Sequence, residues 1–368
     1  MIPIFEPSLT DLERRNLMNA FDTGWISSQG GYINEFENAF SKYHNTKYAI
    51  SCSNCTTALH LALLALEIGN GDEVICPDLT FIAPANMIAL TGAMPVLVDV
   101  EPVSWCIDPK KIEEKITTKT KAIIVVHAFG HAANMEAIGR IAEKYKLPII
   151  EDVAEAPGAL FKGKLVGTFG DLSCYSFFAN KIITTGEGGM ILAKSENVDI
   201  RLRTLRDHGM SRAKKYVHEI VGFNYRMTNM QAAIGIAQLE RFEDILSIRN
   251  NQAEIYKKNF EGAKKIHWRP TEPWCNEVHW LSTISLENAE LRDPLLNYLH
   301  SRGIDARQMV YPVHMAKPYA LDKDRQDLAV STNVSLSSLH LPSSTGLDIL
   351  TIKNICEIVV NWIERNDR

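Results

Sequence analysis

Between residues 176 and 189 the chain reads SFFANKIITTGEGG, and Lys181 is the only cation in that aromatic, small, hydroxylated and glycine-rich run. An ordinary lysine has a pKa of roughly 10.4 and is protonated. Placed beside an aldehyde it forms a Schiff base, and once freed as a neutral amine it shuttles a proton between two carbons. A second chemical group stands in IIEDVAEA, where an apolar run leads into Glu151 and Asp152 and delivers a carboxylate at the end of a buried strand. A carboxylate there keeps a heterocyclic nitrogen protonated by ion pairing. A third group is CSNCTTALHLAL, in which Ser53, Asn54, Thr56 and Thr57 crowd a helix start. Free backbone N–H groups and the helix dipole make such a start a phosphate site, and Ser176 brings a hydroxyl from another strand end to the same anion. Phe81, in TFIAPAN, offers an aromatic face to a flat ring. The glycines of TTGEGG permit tight backbone approach.

Taken singly, each feature has a plainer explanation: a lysine on a surface turn, an aspartate closing a turn, a hydroxyl capping a helix, a phenylalanine in the core. Together, in this order at successive strand ends, they supply what pyridoxal phosphate requires. Its pyridinium is an electron sink whose electronics are set by a protein carboxylate.

The elements that must position these groups are legible as alternation. Short apolar runs begin with YAISCS (48–53), EVICPD (73–78), PVLVDV (95–100) and KAIIVVHAF (121–129). LPIIEDVA (147–154), SCYSFFA (173–179) and GMILAK (189–194) complete the seven. Helical patterns lie between them, such as TALHLALLAL and IDPKKIEEKI, where Asp108 caps and Pro109 opens the helix. Strands alternating with helices imply an α/β fold with a mainly parallel sheet covered on both faces. Ligands collect beyond the carboxyl ends of such strands. One long helical region is expected from about Thr228 to Phe260, leading into a smaller α+β part with a closing amphipathic helix. The expected division is 1–240 for a large α/β domain and 241–368 for a smaller one.

Composition narrows the rest. The 368 residues are 46% apolar and 23% charged, ordinary for a globular protein. A net charge of −5 argues against a nucleic-acid partner, and basic clusters such as RAKK (212–215) are solvated loops or local anion contacts. No apolar run approaches the ~20 residues of a membrane helix, and the N-terminus lacks a signal core. Seven scattered cysteines give one CxxC, at Cys52 and Cys55, without a second pair or histidine to complete a metal site. A cytoplasmic protein with reduced thiols and no metal is expected. A dinucleotide-binding oxidoreductase would want G-x-G-x-x-G after the first strand, and SCSNCTT contains no glycine.

The segment EDVAEAPGALFKGKLVGTFGDLSCYSFFANKIITTGEGGMI resembles the signature of the DegT/StrS-type sugar-nucleotide aminotransferases, fold-type I pyridoxal-phosphate enzymes. GWISSQGGYINEFENAF, YAISCSNCTTALHLAL, GDEVICPDLTFIAPAN and VGFNYRMTNMQAAIGIAQLERF extend the likeness over essentially the whole chain. The resemblance implies that Lys181 is the Schiff-base lysine and Asp152 the partner of the pyridine nitrogen. Glu155 would lie near the phenolic oxygen, and Phe81 would stack on the ring. Thr56, Ser176 and the Cys55–Thr56 backbone would hold the phosphate. Asn224 would reach the phosphate of a neighbouring subunit in a homodimer. Cys55 departs from the small residue usual there, but its backbone N–H is unchanged. Members that act as dehydratases carry histidine in place of the lysine, which disfavours that branch here.

Within the family, WISSQG and YPVHMAKPY look most like the members that transfer an amino group from L-glutamate to C4 of GDP-4-keto-6-deoxy-D-mannose. Trp25, Ser27 and His314 would face that substrate, with Arg226 a candidate for the glutamate carboxylates; a hydrogen-bonded structural role is the plain alternative for His314. Other readings left open are the same chemistry on a dTDP- or UDP-linked 4-keto sugar or a 3-keto sugar, and a cofactor-binding regulatory protein without turnover.

Overall fold

A computed structural model describes residues 1–320 and 326–366. Seven strands form the main sheet: β1 (Tyr48–Cys52), β2 (Glu73–Pro77), β3 (Met94–Val98), β4 (Thr120–Val126), β5 (Ile149–Asp152), β6 (Leu172–Ser176) and β7 (Gly189–Ala193). Their order is β1-β7-β6-β5-β4-β2-β3. Only β7 runs against its neighbours, so the carboxyl ends of the other six share one edge with the start of β7. The register places Cys52 and Ser176 against Gly189, and Val126 against Asp152.

Strand alternation divides the core into two layers. Ile75, Ile123, Val125 and Ile149 pack on one face; Val74, Cys76, Ile124 and Ile150 pack on the other. The helix Cys55–Ala65 is buried nearly all round, which its LHLALLA, apolar at every position but His60, requires. Helix Asp11–Asp22 starts with a capping box in which Glu13 reaches back to the backbone N–H of Thr10 at 2.7 Å. Glu13 also accepts from Gln238 and Arg241, so this helix is latched to helix Asn229–Glu240.

The region expected as one long helix is two. Asn229–Glu240 and Phe242–Phe260 break at Arg241, whose φ of −103° and ψ of 9° leave the helical range. Arg241 turns toward Glu13 and Ser8 at that break. Beyond it, β8 (Ile266–Trp268), β9 (Ser282–Leu286), β10 (Arg307–Gln308) and β11 (Ser338–Leu341) form an antiparallel sheet in the order β8-β9-β11-β10. It shares a separate apolar core with Tyr256 and Phe260 of the preceding helix and with helix Ile349–Asn366.

Candidate active site

A cavity of about 350 Å³ opens at the carboxyl edge of the main sheet. Cys55, Thr56, Phe81, Asp152, Glu155, Ser176 and Lys181 all line it, although 126 positions separate the first from the last. They come from the ends of four strands or the segments just after them: β1, β2, β5 and β6.

The helix after β1 begins at Cys55 and is capped by Asn54, not by a hydroxyl residue; Asn54 Oδ1 accepts the N–H of Thr57 at 2.9 Å. That leaves the N–H groups of Cys55 and Thr56 without an acceptor among the described residues, pointing out of a helix N-terminus that lines the cavity. Gly189 lies hard against this turn: a Cβ there would stand 2.5 Å from the Asn54 carbonyl carbon and 2.8 Å from Cys55 N. Glycine is required where β7 begins because the two backbones are in contact. Ser176, at the end of β6, pairs with the same Gly189 and so brings its hydroxyl to this corner.

Asp152 ends β5 and is 5% exposed. Its Oδ1 accepts the N–H of Ala154 at 3.0 Å and lies 3.9 Å from Cys55 Sγ. No hydrogen bond among the described residues uses Oδ2. Burial pushes the Asp152 pKa up, against the pull of the Ala154 N–H and Lys181. Burial also raises Glu155, opposed by Lys181 and by the Phe129 N–H, which Glu155 Oε2 accepts at 2.9 Å. Phe129 makes that bond from left-handed backbone, φ 50°, a strained conformation that surrounding structure must hold. Lys181 is displaced the other way: burial lowers its pKa, and Glu155, Asp152 and Cys55 push it back toward the charged form. Burial also drives the Cys55 thiol well above its ordinary range, which keeps it protonated.

These residues fit pyridoxal phosphate. The unpartnered N–H groups suit a phosphate, the unused oxygen of a buried carboxylate suits a pyridinium N–H, and Phe81 presents its ring at the rim while 59% exposed.

Five residues expected near the ligands do not line this cavity. Trp25 is 56% exposed, and its carbonyl accepts from the Asn229 side chain at 2.7 Å. The Ser27 carbonyl accepts the Asn229 N–H at 2.6 Å. Asn224 accepts from Arg226 Nε at 2.9 Å, and Arg226 pairs with Asp207 at 3.0 Å. His314 is bound to buried Asp78, which accepts its backbone N–H at 2.9 Å and meets its Nδ1 at 2.8 Å. Conversely, Trp280 lines the cavity beneath Lys181 without any sequence expectation. Nothing in NEVHWLSTISL marks it locally, since its partner Asn180 is 100 residues away.

An α/β sheet with lysine, carboxylates and an anion-ready helix start at its carboxyl edge defines a cofactor enzyme of the aminotransferase kind. The chain belongs to the DegT/DnrJ/EryC1/StrS aminotransferase family, whose pattern it matches over residues 7–360. It is 43% identical over 358 residues to the GDP-perosamine synthase of Escherichia coli O157:H7, covering 97% of each chain. It is 44% identical over 353 residues to the GDP-perosamine synthase of Caulobacter vibrioides, covering 94% of each. Spr1654 of Streptococcus pneumoniae, solved in a PLP form, superposes with a TM-score of 0.94 at 27% identity and 99% coverage of each chain.

Proposed function

We propose that this protein is a pyridoxal-phosphate-dependent enzyme that moves an amino group from L-glutamate to C4 of GDP-4-keto-6-deoxy-D-mannose, giving GDP-perosamine for surface polysaccharide synthesis. The observation that carries the chemistry is the convergence of Lys181, Asp152 and the Cys55–Thr56 helix start on one cavity. Identity of 40–44% to three GDP-perosamine synthases, over nearly the full length of each, supports the choice of sugar.

Pyridoxal phosphate supplies an aldehyde that takes up the amino group and a protonated ring that accepts electrons. Asp152 would keep the ring nitrogen protonated through the oxygen that has no other bond, a charge fixed in place before electrons arrive. The N–H groups of Cys55 and Thr56 and the Ser176 hydroxyl would hold the phosphate, and Phe81 would cover one ring face. Glu155 would lie near the phenolic oxygen. Lys181 Nζ would tether the cofactor through its aldehyde, and as a freed neutral amine it would be the group that carries a proton, from Cα of glutamate and in the opposite sense for the keto sugar. Burial helps by lowering the fraction of Lys181 that is charged.

Asn224, placed away from its own subunit's cavity, is assigned to a neighbouring subunit's phosphate in a homodimer. Exposed Trp25, with Ser27, is assigned to the sugar nucleotide. His314 has the same assignment and Arg226 is assigned to the glutamate carboxylates, though each already has a carboxylate partner. The antiparallel sheet and its own core support a division into residues 1–240 and 241–368. No helix among the described residues is long and apolar enough to cross a membrane, in keeping with a cytoplasmic setting.

The test is a substrate profile with glutamate as donor. Amination of GDP-4-keto-6-deoxymannose with the highest kcat/KM is expected. Preference for a dTDP- or UDP-linked sugar would overturn the sugar assignment while leaving the chemistry in place.

A further inference from the structure

Trp280 is bound to Lys181 and its loop by several independent contacts. Lys181 Nζ lies 3.7 Å from the centroid of the Trp280 ring. The indole N–H donates to the Asn180 carbonyl at 2.7 Å, tying the ring to the loop that carries the lysine. The Phe129 ring lies nearly parallel to the indole, 6.4 Å away with an interplanar angle of 11°. Two residues earlier, the Val278 N–H donates to the Gly130 carbonyl at 3.0 Å. Gly130 has φ +90°, and a Cβ there would fall 1.7 Å from the Val278 oxygen, so only glycine permits this approach.

Behind the tryptophan is Arg249, one of the largest fully buried side chains. Nη1 donates to the Trp280 carbonyl at 2.8 Å, and the guanidinium lies 4.6 Å over Phe5. Nε and Nη2 have no partner among the described residues. A buried cation without a carboxylate is unfavourable, and burial alone lowers its pKa to about 9. Among the described residues, the one hydrogen bond its side chain makes fixes Trp280.

We infer that Trp280 is a positioning residue for Lys181: its indole face holds the amine in the cavity, and Arg249 fixes the backbone that carries the indole. The other groups facing this amine are Glu155, Asp152 and Cys55, with Glu187 on the same cavity wall. A cation over an indole face is stabilised only while charged, so Trp280 acts in the same direction as the carboxylates and against burial. The ring thus holds the amine in place, and release from the ring favours its neutral, nucleophilic form.

The inference rests on Lys181 being the reactive amine, and its test reads that amine directly. Full-length protein stripped of cofactor is labelled with acetic anhydride across a pH series, and acetylation of Lys181 is quantified by mass spectrometry. Wild type is compared with Trp280→Leu and with tetrafluorotryptophan at position 280, which keeps the indole's shape and removes its negative face. Trp280→Leu is expected to hold about fivefold to thirtyfold more neutral Lys181 amine at a given pH. The fluorinated protein should shift in the same direction. A purely structural role would leave the fluorinated titration curve on the wild-type curve, and coincidence within about twofold overturns the inference. If Trp280→Leu does not fold, the fluorinated protein decides alone. Absence of any adduct between pyridoxal phosphate and Lys181 would be a separate result, counting against the cofactor reading.

Discussion

Glu151 and Asp152 are neighbours on β5, and strand alternation sends their carboxylates to opposite faces of the sheet. Glu151 faces a closed network. It accepts N–H groups from Gly167, Phe169 and Gly170 at 2.6–2.8 Å, and it meets His127 Nε2 at 2.9 Å. His127 Nδ1 accepts the Ala133 N–H at 3.1 Å, which assigns the ring proton to Nε2 and makes it the donor to Glu151. Burial opposes ionisation of Glu151, but His127 and the backbone donors outweigh it and hold the pKa below the ordinary value. Asp152 faces an open cavity with one oxygen unused, and its pKa is raised. Equal burial therefore has opposite consequences. A satisfied carboxylate fastens the 167–170 segment to the sheet; an unsatisfied one is left for a ligand. Perturbed groups in a cleft are where chemistry is sought.

The sharpest way to break this contrast begins in the cavity. Lys181→Ala should reduce turnover by at least about 10⁴-fold, the upper end for a positioned proton carrier, with an unchanged unfolding midpoint. On the closed side, Glu151→Gln should lower stability by roughly 1–3 kcal/mol, because the amide that replaces one carboxylate oxygen leaves buried donors unsatisfied, measured by denaturant unfolding. Asp152→Asn should do the reverse: about 10²- to 10³-fold in turnover with little or no loss of stability. If Glu151→Gln spared stability and Asp152→Asn unfolded the protein, the two roles would be exchanged.

A smaller effect is expected from acid. Burial lowers the pKa of His44 and His131 to about 4 and of His340 to about 3, from 6.5. Each binds less proton folded than unfolded, so its contribution to stability is complete above pH 6.5 and is lost as the pH falls toward 4. Thermal unfolding between pH 7 and pH 4 should show this decline, and His340→Gln should flatten it.

Much of the cavity was legible because its groups sit at strand ends announced by apolar runs. LPII followed by a carboxylate and SCYSFF followed by a lysine are local patterns, and the family's motifs joined them. The rest depends on contacts that leave no local trace. Trp280 meets Lys181 from a loop of the later chain and Arg249 meets Trp280 from a helix, and neither has a periodic or motif signal. The break at Arg241 was hidden because both flanking segments are good helix formers; the cause is the distant Glu13. The strands of the later sheet are not legible one by one, since strands of two and three residues such as β8 and β10 are too short to display alternation.

The most direct measurement is to record near-visible absorption of the purified protein with pyridoxal phosphate, reduce it with borohydride, and map the modified lysine by mass spectrometry. A chromophore bleached by reduction, with the added mass on Lys181, is the expected result. A protein that remains colourless and unmodified at Lys181 would contradict the claim that the open face of β5 is a cofactor site.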